Sequence, residues 1–455
     1  MENRVQLSPP AKQNLFIAAI FGIPILLVVI YFSYGFYFRD AWAVCPPTCR
    51  KADFVNQDLR QSDYQDVIFS NANLTGVNLQ DSNLQNTDFY FATLQGANLV
   101  DANLANANLQ ATSLVNADLT GANLQQATLS GARLQQSNLA NVDFRGADLT
   151  GVNFRLANLR DTVIDETTIV NEKWRLVWEL VNQDGVDRDL ARANLRDADL
   201  RNVNFHGADL SRASFIAADV RGADFTEANL TGVKWQQTIL DDTTAIDTNA
   251  RLIWMILNDI QIGQSLSGAD LRQAYLPEGI LKGADLTKAD LRQANLVEAD
   301  LRESDLRDAN LQEADLSEAR LRNANLQGTD LRGANLFGAD LTWADLRNTI
   351  IDDATVLPRK WAVVWQVVNQ ENVGRDLSEV DLSWAYLPGL DLQEANLSQA
   401  NLHRAQLPDT NLSNANLAGA DLSDANLESA NLQDADLTDA SLDDAILPLD
   451  FDISN

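Results

Sequence analysis

The sequence predicts an all-β solenoid, in which the chain winds into a square β-helix that is interrupted by three short helical inserts and preceded by one apolar segment. Three observations support this fold class. A period of five residues, with Leu or Phe at most fifth positions, covers most of the 455 residues. The period breaks three times, at segments of equal length. A long uncharged segment precedes the first repeat.

The uncharged segment starts at Leu15 and stops at Phe38. A helix of this length, rising about 1.5 Å per residue, is long enough to cross a hydrocarbon core of about 30 Å. Tyr, Phe and Trp residues crowd its C-terminal end, as in an interfacial aromatic belt. We therefore expect a single-pass transmembrane helix that places the protein at a membrane; a cleaved signal peptide is the alternative interpretation. Positive charge is nearly balanced around this segment, so the repeats are assigned to neither side.

Two cysteines follow in a short linker, at Cys45 and Cys49. They can form a small disulfide in an oxidising compartment. The other interpretation is a pair of free thiols in a linker stiffened by Pro46 and Pro47.

The repeat itself is illustrated by Ala117-Asp118-Leu119-Thr120-Gly121. Five residues match neither the period of a helix nor that of a strand. An inward side chain at every fifth residue requires a corner every five residues. Four such sides close a coil of about 20 residues, and successive coils stack at about 4.8 Å. The central Leu and the Ala two positions before it then face the interior, and the other positions face solvent.

This run of Ala-(Asp/Asn)-Leu-X-X resembles the pentapeptide repeat family. The resemblance implies that family's fold, a right-handed quadrilateral β-helix, and a largely non-enzymatic protein. It also implies a second possibility, because a few family members are shaped like duplex DNA and inhibit topoisomerase.

The three breaks align with one another without gaps and predict the same short helix. In the first, Trp174, Val177, Trp178 and Val181 fall on one apolar face. Positions that suit the start are Asn171, Asp247 and Pro358, and positions that suit the end are Asn182, Asn258 and Asn369. The tryptophans at matching positions of the three inserts are Trp174, Trp178, Trp254, Trp361 and Trp365. Such helices either cap the coils or dock a partner, and the tryptophans are candidate interaction residues in the second case.

The pattern divides the chain into eleven segments. They are a polar segment (1–14), a transmembrane helix (15–38), a linker (39–51), array 1 (52–164), insert 1 (165–189), array 2 (190–240), insert 2 (241–265), array 3 (266–351), insert 3 (352–376), array 4 (377–447) and a C-terminal tail (448–455).

The formal net charge of −30 disfavours direct binding to nucleic acid or anionic lipid and favours basic partners. In array 3, columns of like charge such as Arg302 with Arg322 and Glu298 with Glu318 are expected to neutralise each other across the surface. Array 4 is the most acidic region and its carboxylates are candidates for contact with a basic protein partner, with a merely solubilising surface as the alternative. The candidates are Asp421, Asp424, Asp434, Asp436, Asp439, Asp443 and Asp444.

No catalytic, cofactor-binding or metal-binding residues are predicted. The chain has two His and two Cys, and no phosphate-binding glycine loop or nucleophile motif. We therefore expect no enzyme and no cofactor. The predicted function is a membrane-tethered, non-enzymatic β-helical scaffold that presents a long surface for protein–protein interaction. The alternative is a DNA-mimicking regulator of a topoisomerase or another DNA-binding protein.

Overall fold

The computed structural model describes residues 45–259, 263–449 and 451. The chain divides into two compact units. Unit 1 comprises Met1–Asp209, Ser214–Ala228 and Thr238–Ala245, and unit 2 comprises Leu210–Ala213, Asn229–Gln237 and Ile246–Asn455.

Each unit is a β-helix whose strands are reduced to single-residue parallel bridges. In unit 1, Asn98 pairs with Asn78 below it and with Asp118 above it. The same register of twenty residues repeats at every fifth position, so each coil carries four bridges and has four sides. The bridges run from Thr48↔Ile68 in unit 1 to Asn426↔Ile446 in unit 2. The β-helical solenoid predicted from the period of five is confirmed; its right-handed sense stays a prediction.

The backbone of one pentapeptide explains why Asp or Asn precedes the central residue. The N–H groups of Asn98, Leu99 and Asp101 donate to carbonyls of neighbouring coils, and that of Ala97 closes the preceding turn, all at 2.7–3.1 Å. The N–H of Val100 donates instead to Oδ1 of Asn98, at 3.1 Å. The side chain therefore satisfies the one donor that the coil geometry leaves over, which is the reason for its short polar character.

The corner of the coil lies two residues after the central Leu, in the left-handed backbone region. Asn106 has φ 57° and Gly121 has φ 70°. Asn, Asp and Gly adopt this conformation most readily. Among the described residues no Val, Ile or Thr has a positive φ, in keeping with the crowding that a β-branched side chain meets there.

The interior of each unit is packed by the central residues and the small residues that precede them. Leu99 and Ala97 are both buried. Aromatic residues stack between coils in the same way, as Phe69 and Phe89 do with ring centroids 5.2 Å apart. Burying a Leu side chain contributes about 1.5–3 kcal/mol, so the repeated column of Leu supplies most of the stability.

Three helices interrupt the coils: α1 at Glu172–Gln183, α2 at Thr248–Asn258 and α3 at Arg359–Asn369. Asn171 caps α1 by accepting from the N–H of Trp174, and Asp247 caps α2 through the N–H of Ala250. Pro358 occupies the N-cap of α3 without a side-chain bond.

In unit 1, α1 packs with its apolar face on the last coil of array 1. Trp174 meets Phe154 edge to face, with ring centroids 5.6 Å apart. The indole N–H of Trp178 donates to the carbonyl of Thr162 at 3.0 Å. Asn182 donates from Nδ2 to the carbonyl of Leu159 at 3.1 Å. The helix therefore covers part of the coil end and is fixed to it by polar contacts at its C-terminal turn.

In unit 2, α3 repeats these contacts at the end of array 3. Trp365 donates to the carbonyl of Thr349 at 3.1 Å, and Asn369 donates to that of Leu346 at 3.0 Å. Beside the helix, the coils of arrays 3 and 4 stack directly, because the N–H of Trp343 donates to the carbonyl of Trp384 at 2.9 Å. α3 therefore separates the two coils on one side only, and they remain in contact on the other side.

No helix among residues 45–259, 263–449 and 451 is long and apolar enough to cross a membrane. By this finding the membrane localisation predicted from the sequence is wrong, since α1, α2 and α3 have 11 or 12 residues each. The predicted anchor at 15–38 lies outside the described residues, as do 450 and 452–455 of the predicted tail.

Candidate interaction surface

The insert tryptophans face into their own units. Trp174 and Trp361 are 7% and 8% exposed, and Trp178, Trp254 and Trp365 are half-buried. With two of the indole N–H groups bonded to coil carbonyls, this placement favours packing of the inserts over docking of a partner.

Of the seven candidate acidic residues of array 4, three accept hydrogen bonds through their carboxylates and four have no such partner among the described residues. Asp421 and Asp436 precede central residues, and hydrogen bonds from Ser423 and Thr438 hold their pKa values below the ordinary range for a carboxyl. Asp424 accepts from Nε of Arg404 at 3.1 Å. The remaining four are exposed corner or near-corner residues whose carboxylates have no partner among the described residues. They are Asp434, Asp439, Asp443 and Asp444.

The two cysteines form a disulfide at the start of unit 1. Cys49 occupies the first central position of the repeat and is 1% exposed. Its N–H donates to the carbonyl of Ile68 at 2.7 Å, so the bridged segment 45–49 lies on the first coil.

Array 3 pairs six of its arginines with an Asp of the same pentapeptide. In each case an Arg lies two residues after an Asp and donates to it through both Nε and an Nη, as Arg292 does to Asp290 at 2.9 and 2.6 Å. The hydrogen bond raises the pKa of Arg292 and lowers that of Asp290. The pairs are Asp270–Arg272, Asp290–Arg292, Asp300–Arg302, Asp305–Arg307, Asp330–Arg332 and Asp345–Arg347.

Arg322 is an exception to this pairing. The residue two positions before it is Arg320, which itself pairs with Asp300 at 3.3 Å. Nε of Arg322 is buried and has no hydrogen-bond partner among the described residues.

Arg322 instead begins a stack of cations and indoles at one corner of unit 2. Its guanidinium carbon lies 4.7 Å from the ring centroid of Trp343, and Trp343 lies 5.3 Å from Trp384. The guanidinium carbon of Arg404 lies over the ring of Trp384, also at 4.7 Å. His403 meets the edge of Trp384 at 5.8 Å. We call these five residues the Trp edge.

The Trp edge is held by backbone features of the junction beside α3. Trp343 and Trp384 occupy corner positions, with φ values of 55° and 59°. The indole N–H of Trp343 donates to the carbonyl of Arg404 at 2.9 Å. Both rings are half-buried, so one part of each packs on the coil and the other part is open to solvent.

Sequence reasoning missed the Trp edge. Trp343 and Trp384 are separated by a coil that contains α3, so the simple spacing of twenty residues does not align them. The signal that could have found them is the repetition of the inserts: in unit 1 the equivalent corner residues Leu156 and Asp197 make the same backbone hydrogen bond, at 2.6 Å.

No three or more His, Cys, Asp or Glu residues lie close enough together to hold a metal ion in the part of the chain that the structure describes.

Comparison with known proteins agrees with the fold. The family model described as "Pentapeptide repeats (8 copies)" matches more than half of the chain. The matched residues are 52–89, 87–126, 127–164, 189–226, 264–302, 284–323, 314–353, 376–414 and 410–447. No curated protein matches the chain significantly.

Three solved structures are similar in part, with low TM-scores that carry no argument about function. HetL, a pentapeptide repeat protein involved in heterocyst differentiation regulation from the cyanobacterium Nostoc sp. strain PCC 7120, is 21% identical, with a TM-score of 0.18 over 74% of this chain and 100% of HetL. Rfr23 from the cyanobacterium Cyanothece 51142 is 25% identical, with a TM-score of 0.19 over 31% of this chain and 99% of Rfr23. Full-length QnrB1, a plasmid-mediated fluoroquinolone resistance protein, is 13% identical, with a TM-score of 0.12 over 70% of this chain and 95% of QnrB1. On the extent of the family-model match, the chain belongs to the pentapeptide repeat family.

Proposed function

We propose that this protein is a non-enzymatic β-helical scaffold that binds a protein partner through the Trp edge. The observation that carries the proposal is the stack of Trp343 and Trp384 between two guanidinium groups on a half-exposed corner. Trp and Arg are the residues most enriched at the energetic centres of protein interfaces. A rigid stack of this kind offers a large contact area that is already ordered, so little entropy is lost when a partner binds.

The backbone of the corner supports the same proposal. A bulky side chain in the left-handed region is disfavoured by roughly 1–2 kcal/mol relative to its ordinary conformation. Gly, Asn and Asp occupy many of the other corners, such as Gly333 and Asn348. The contact that Trp343 and Trp384 make between arrays 3 and 4 offsets part of this cost.

The charge of array 4 indicates the chemistry of the partner. Arg404, Asp424 and Asp444 are spaced by twenty residues, so they succeed one another along one corner. Asp443 and Asp444 are exposed and lack counter-ions among the described residues. We expect a basic segment of the partner here, where complementary charge accelerates association.

The interior of the coils supports a non-enzymatic role. Central Leu and small Ala side chains fill it, as the buried Leu301 and Ala299 do, and leave no polar cleft in which reactive groups could converge.

The test is affinity capture with the immobilised full chain. Wild type is compared with Trp384→Ala and with Phe337→Ala, which removes a side chain that is 65% exposed elsewhere in unit 2. We expect Trp384→Ala to lose the captured partner and Phe337→Ala to retain it, with thermal unfolding showing that both variants fold. Equal capture by wild type and Trp384→Ala would refute the proposal. A double variant, Asp443→Asn with Asp444→Asn, is expected to slow association and to weaken its salt dependence.

The alternative is the DNA-mimicking regulator. Duplex DNA carries one charge per about 1.7 Å of its axis. The carboxylates of array 4 without a partner among the described residues are Glu379, Asp409, Glu428, Asp434, Asp439, Asp443 and Asp444, and no two of them are spaced by the twenty residues that would stack them on adjacent coils. They do not extend into a phosphate-like line, so we expect the full chain not to inhibit a topoisomerase supercoiling assay. Strong inhibition would favour the alternative over the scaffold.

A further inference from the structure

We infer that Arg322 is a receptor for a carboxylate group of the protein partner. The inference rests on the proposed function, since it names the chemistry that the Trp edge recognises. It gives the partner an orientation: a carboxylate over array 3 and basic residues over array 4.

The Asp–Arg pairing of array 3 is broken at Arg322. An Arg that follows an Asp by two residues is neutralised within its own pentapeptide, as Arg302 is by Asp300 at 2.6 Å. At Arg322 the same preceding position holds Arg320, and no carboxylate of the described residues forms an ion pair with Arg322. Its charge is therefore uncompensated where other Asp–Arg pairs of the array are neutral.

The guanidinium group of Arg322 is partly desolvated and has no acceptor at Nε among the described residues. Nε of Arg322 is buried against its surroundings and makes no hydrogen bond within the described part of the chain. An unsatisfied buried donor is unfavourable, most of all on a charged group. The side chain as a whole is half-buried, so a ligand can approach it from solvent. The buried Nε is out of reach of such a ligand, but a carboxylate can accept from the two Nη groups at once.

Arg404, the second arginine of the Trp edge, has the carboxylate partner that Arg322 lacks among the described residues. Arg404 lies on Trp384 at the same distance, 4.7 Å, at which Arg322 lies on Trp343. Arg404 also donates from Nε to Asp424 at 3.1 Å. The two ends of the stack are thus chemically alike except that one has a carboxylate and the other lacks it. The partner supplies a carboxylate to the Nη groups of Arg322, as the chain itself supplies one, Asp424, to Arg404.

The stack also makes the receptor rigid. Trp343 is tied to the backbone at Arg404 and touches Trp384, so its face is fixed before any ligand arrives. The guanidinium that lies on this face keeps one orientation and loses little freedom when it binds.

The experiment is a titration of the full chain followed by nuclear magnetic resonance of the Arg Nε–H and Trp indole N–H signals. Sodium acetate is the carboxylate probe, sodium chloride at equal ionic strength is the control for screening, and sodium phosphate is the alternative anion. In wild type, we expect the signals of Arg322 and Trp343 to move with acetate and to stay in place with chloride.

The decisive pair of variants is Arg320→Asp and Arg320→Asn. Both remove the charge of Arg320 and its contact with Asp300. Only Arg320→Asp restores an Asp two residues before Arg322, which then competes with the probe from within the chain. We expect apparent acetate affinity to fall about tenfold in Arg320→Asp, the factor that corresponds to ~1.4 kcal/mol, and to stay within about twofold of wild type in Arg320→Asn.

Three results would overturn the inference: no acetate-dependent shift in wild type, equal acetate affinity in the two variants, or binding of phosphate with much weaker binding of acetate. The capture experiment is read separately. If Trp384→Ala still abolishes capture while the titration fails, only the carboxylate receptor is wrong. If capture does not depend on Trp384, the proposed function itself fails.

Discussion

The side chain of Asn369 fixes the end of α3 to array 3, and we call its hydrogen bonds the clamp. Their number gives the loss of stability expected when they are removed. Asn369 makes three hydrogen bonds with its amide: to the carbonyl of Leu346 at 3.0 Å, to that of Trp365 at 2.9 Å, and from the N–H of Asn348 at 2.5 Å. Replacing Asn369 with Ala removes all three and leaves the N–H of Asn348 without its acceptor. At about 1 kcal/mol each, the loss is about 3 kcal/mol.

The loss is expected to be local, because coils of a solenoid depend mainly on their neighbours. α3 and the end of array 3 should open without unfolding the rest of unit 2. The assay is hydrogen–deuterium exchange of the full chain, followed by mass spectrometry of peptides that cover 346–349 and 359–369. A loss of about 3 kcal/mol corresponds to exchange roughly 100-fold faster in these peptides.

The matched control is Gln370→Ala, which changes the exposed neighbour of Asn369 and leaves the clamp intact. Its exchange should equal that of wild type. If Asn369→Ala also leaves exchange in 346–349 and in α3 unchanged, the clamp does not hold the helix and the reasoning fails.

The remaining predictions concern the core, the corners and acid stability. Leu301→Asp places a carboxylate at a position that is 0% exposed, so we expect loss of several kcal/mol and of the cooperative thermal transition, against less than about 1.5 kcal/mol for Leu301→Met. Asn106→Val puts a β-branched residue at φ 57° and should cost about 1–2 kcal/mol in urea unfolding, with Asn106→Gly close to wild type. The Thr167 hydroxyl lowers the pKa of Asp165 to about 2 from 3.8, so the stability that this carboxylate contributes is present above pH 3.8 and is lost as the pH falls towards 2. The melting temperature should therefore fall over that range, and less steeply in Asp165→Asn.

Each of these has a contradicting outcome. Normal folding of Leu301→Asp would mean that the central residues do not face inwards. A Val variant as stable as the Gly variant at position 106 would show that the corner tolerates β-branching. Parallel acid profiles for wild type and Asp165→Asn would remove Asp165 from the acid response.

The β-helix could be predicted because one physical requirement repeats along the chain. A Leu such as Leu119 must be buried, and a period of five allows that only if the backbone turns at every fifth residue. The insert helices could be predicted for a related reason. The N-cap residues Asn171 and Asp247 have side chains that accept from N–H groups left free at the start of a helix.

Contacts that depend on register across an insert could not be predicted. The charge columns of array 3 were expected to compensate one another, yet Arg302 is neutralised chiefly by Asp300, two residues away in its own pentapeptide. A register of twenty residues per coil does not align Trp343 with Trp384, because α3 lengthens the coil between them. The sequence drew attention to the tryptophans of the inserts. The half-buried stack is formed instead by Trp343 and Trp384, which the sequence shows only as two unusual residues at corner positions.

Many polar contacts of this chain lie within a single pentapeptide, and this favours changes in length by whole coils. Each repeat supplies the acceptor for its own spare N–H, as Asn98 does for Val100, and Asp300 neutralises Arg302 without help from another coil. Removing or adding twenty residues within an array therefore leaves these contacts inside each pentapeptide intact, and it preserves the register of every coil beyond the change. Deleting five residues rotates the later coils by one side, and such a deletion between Trp343 and Trp384 would separate these two residues. Natural length variants of this protein are thus expected to differ by whole coils inside the arrays and to conserve length at the inserts.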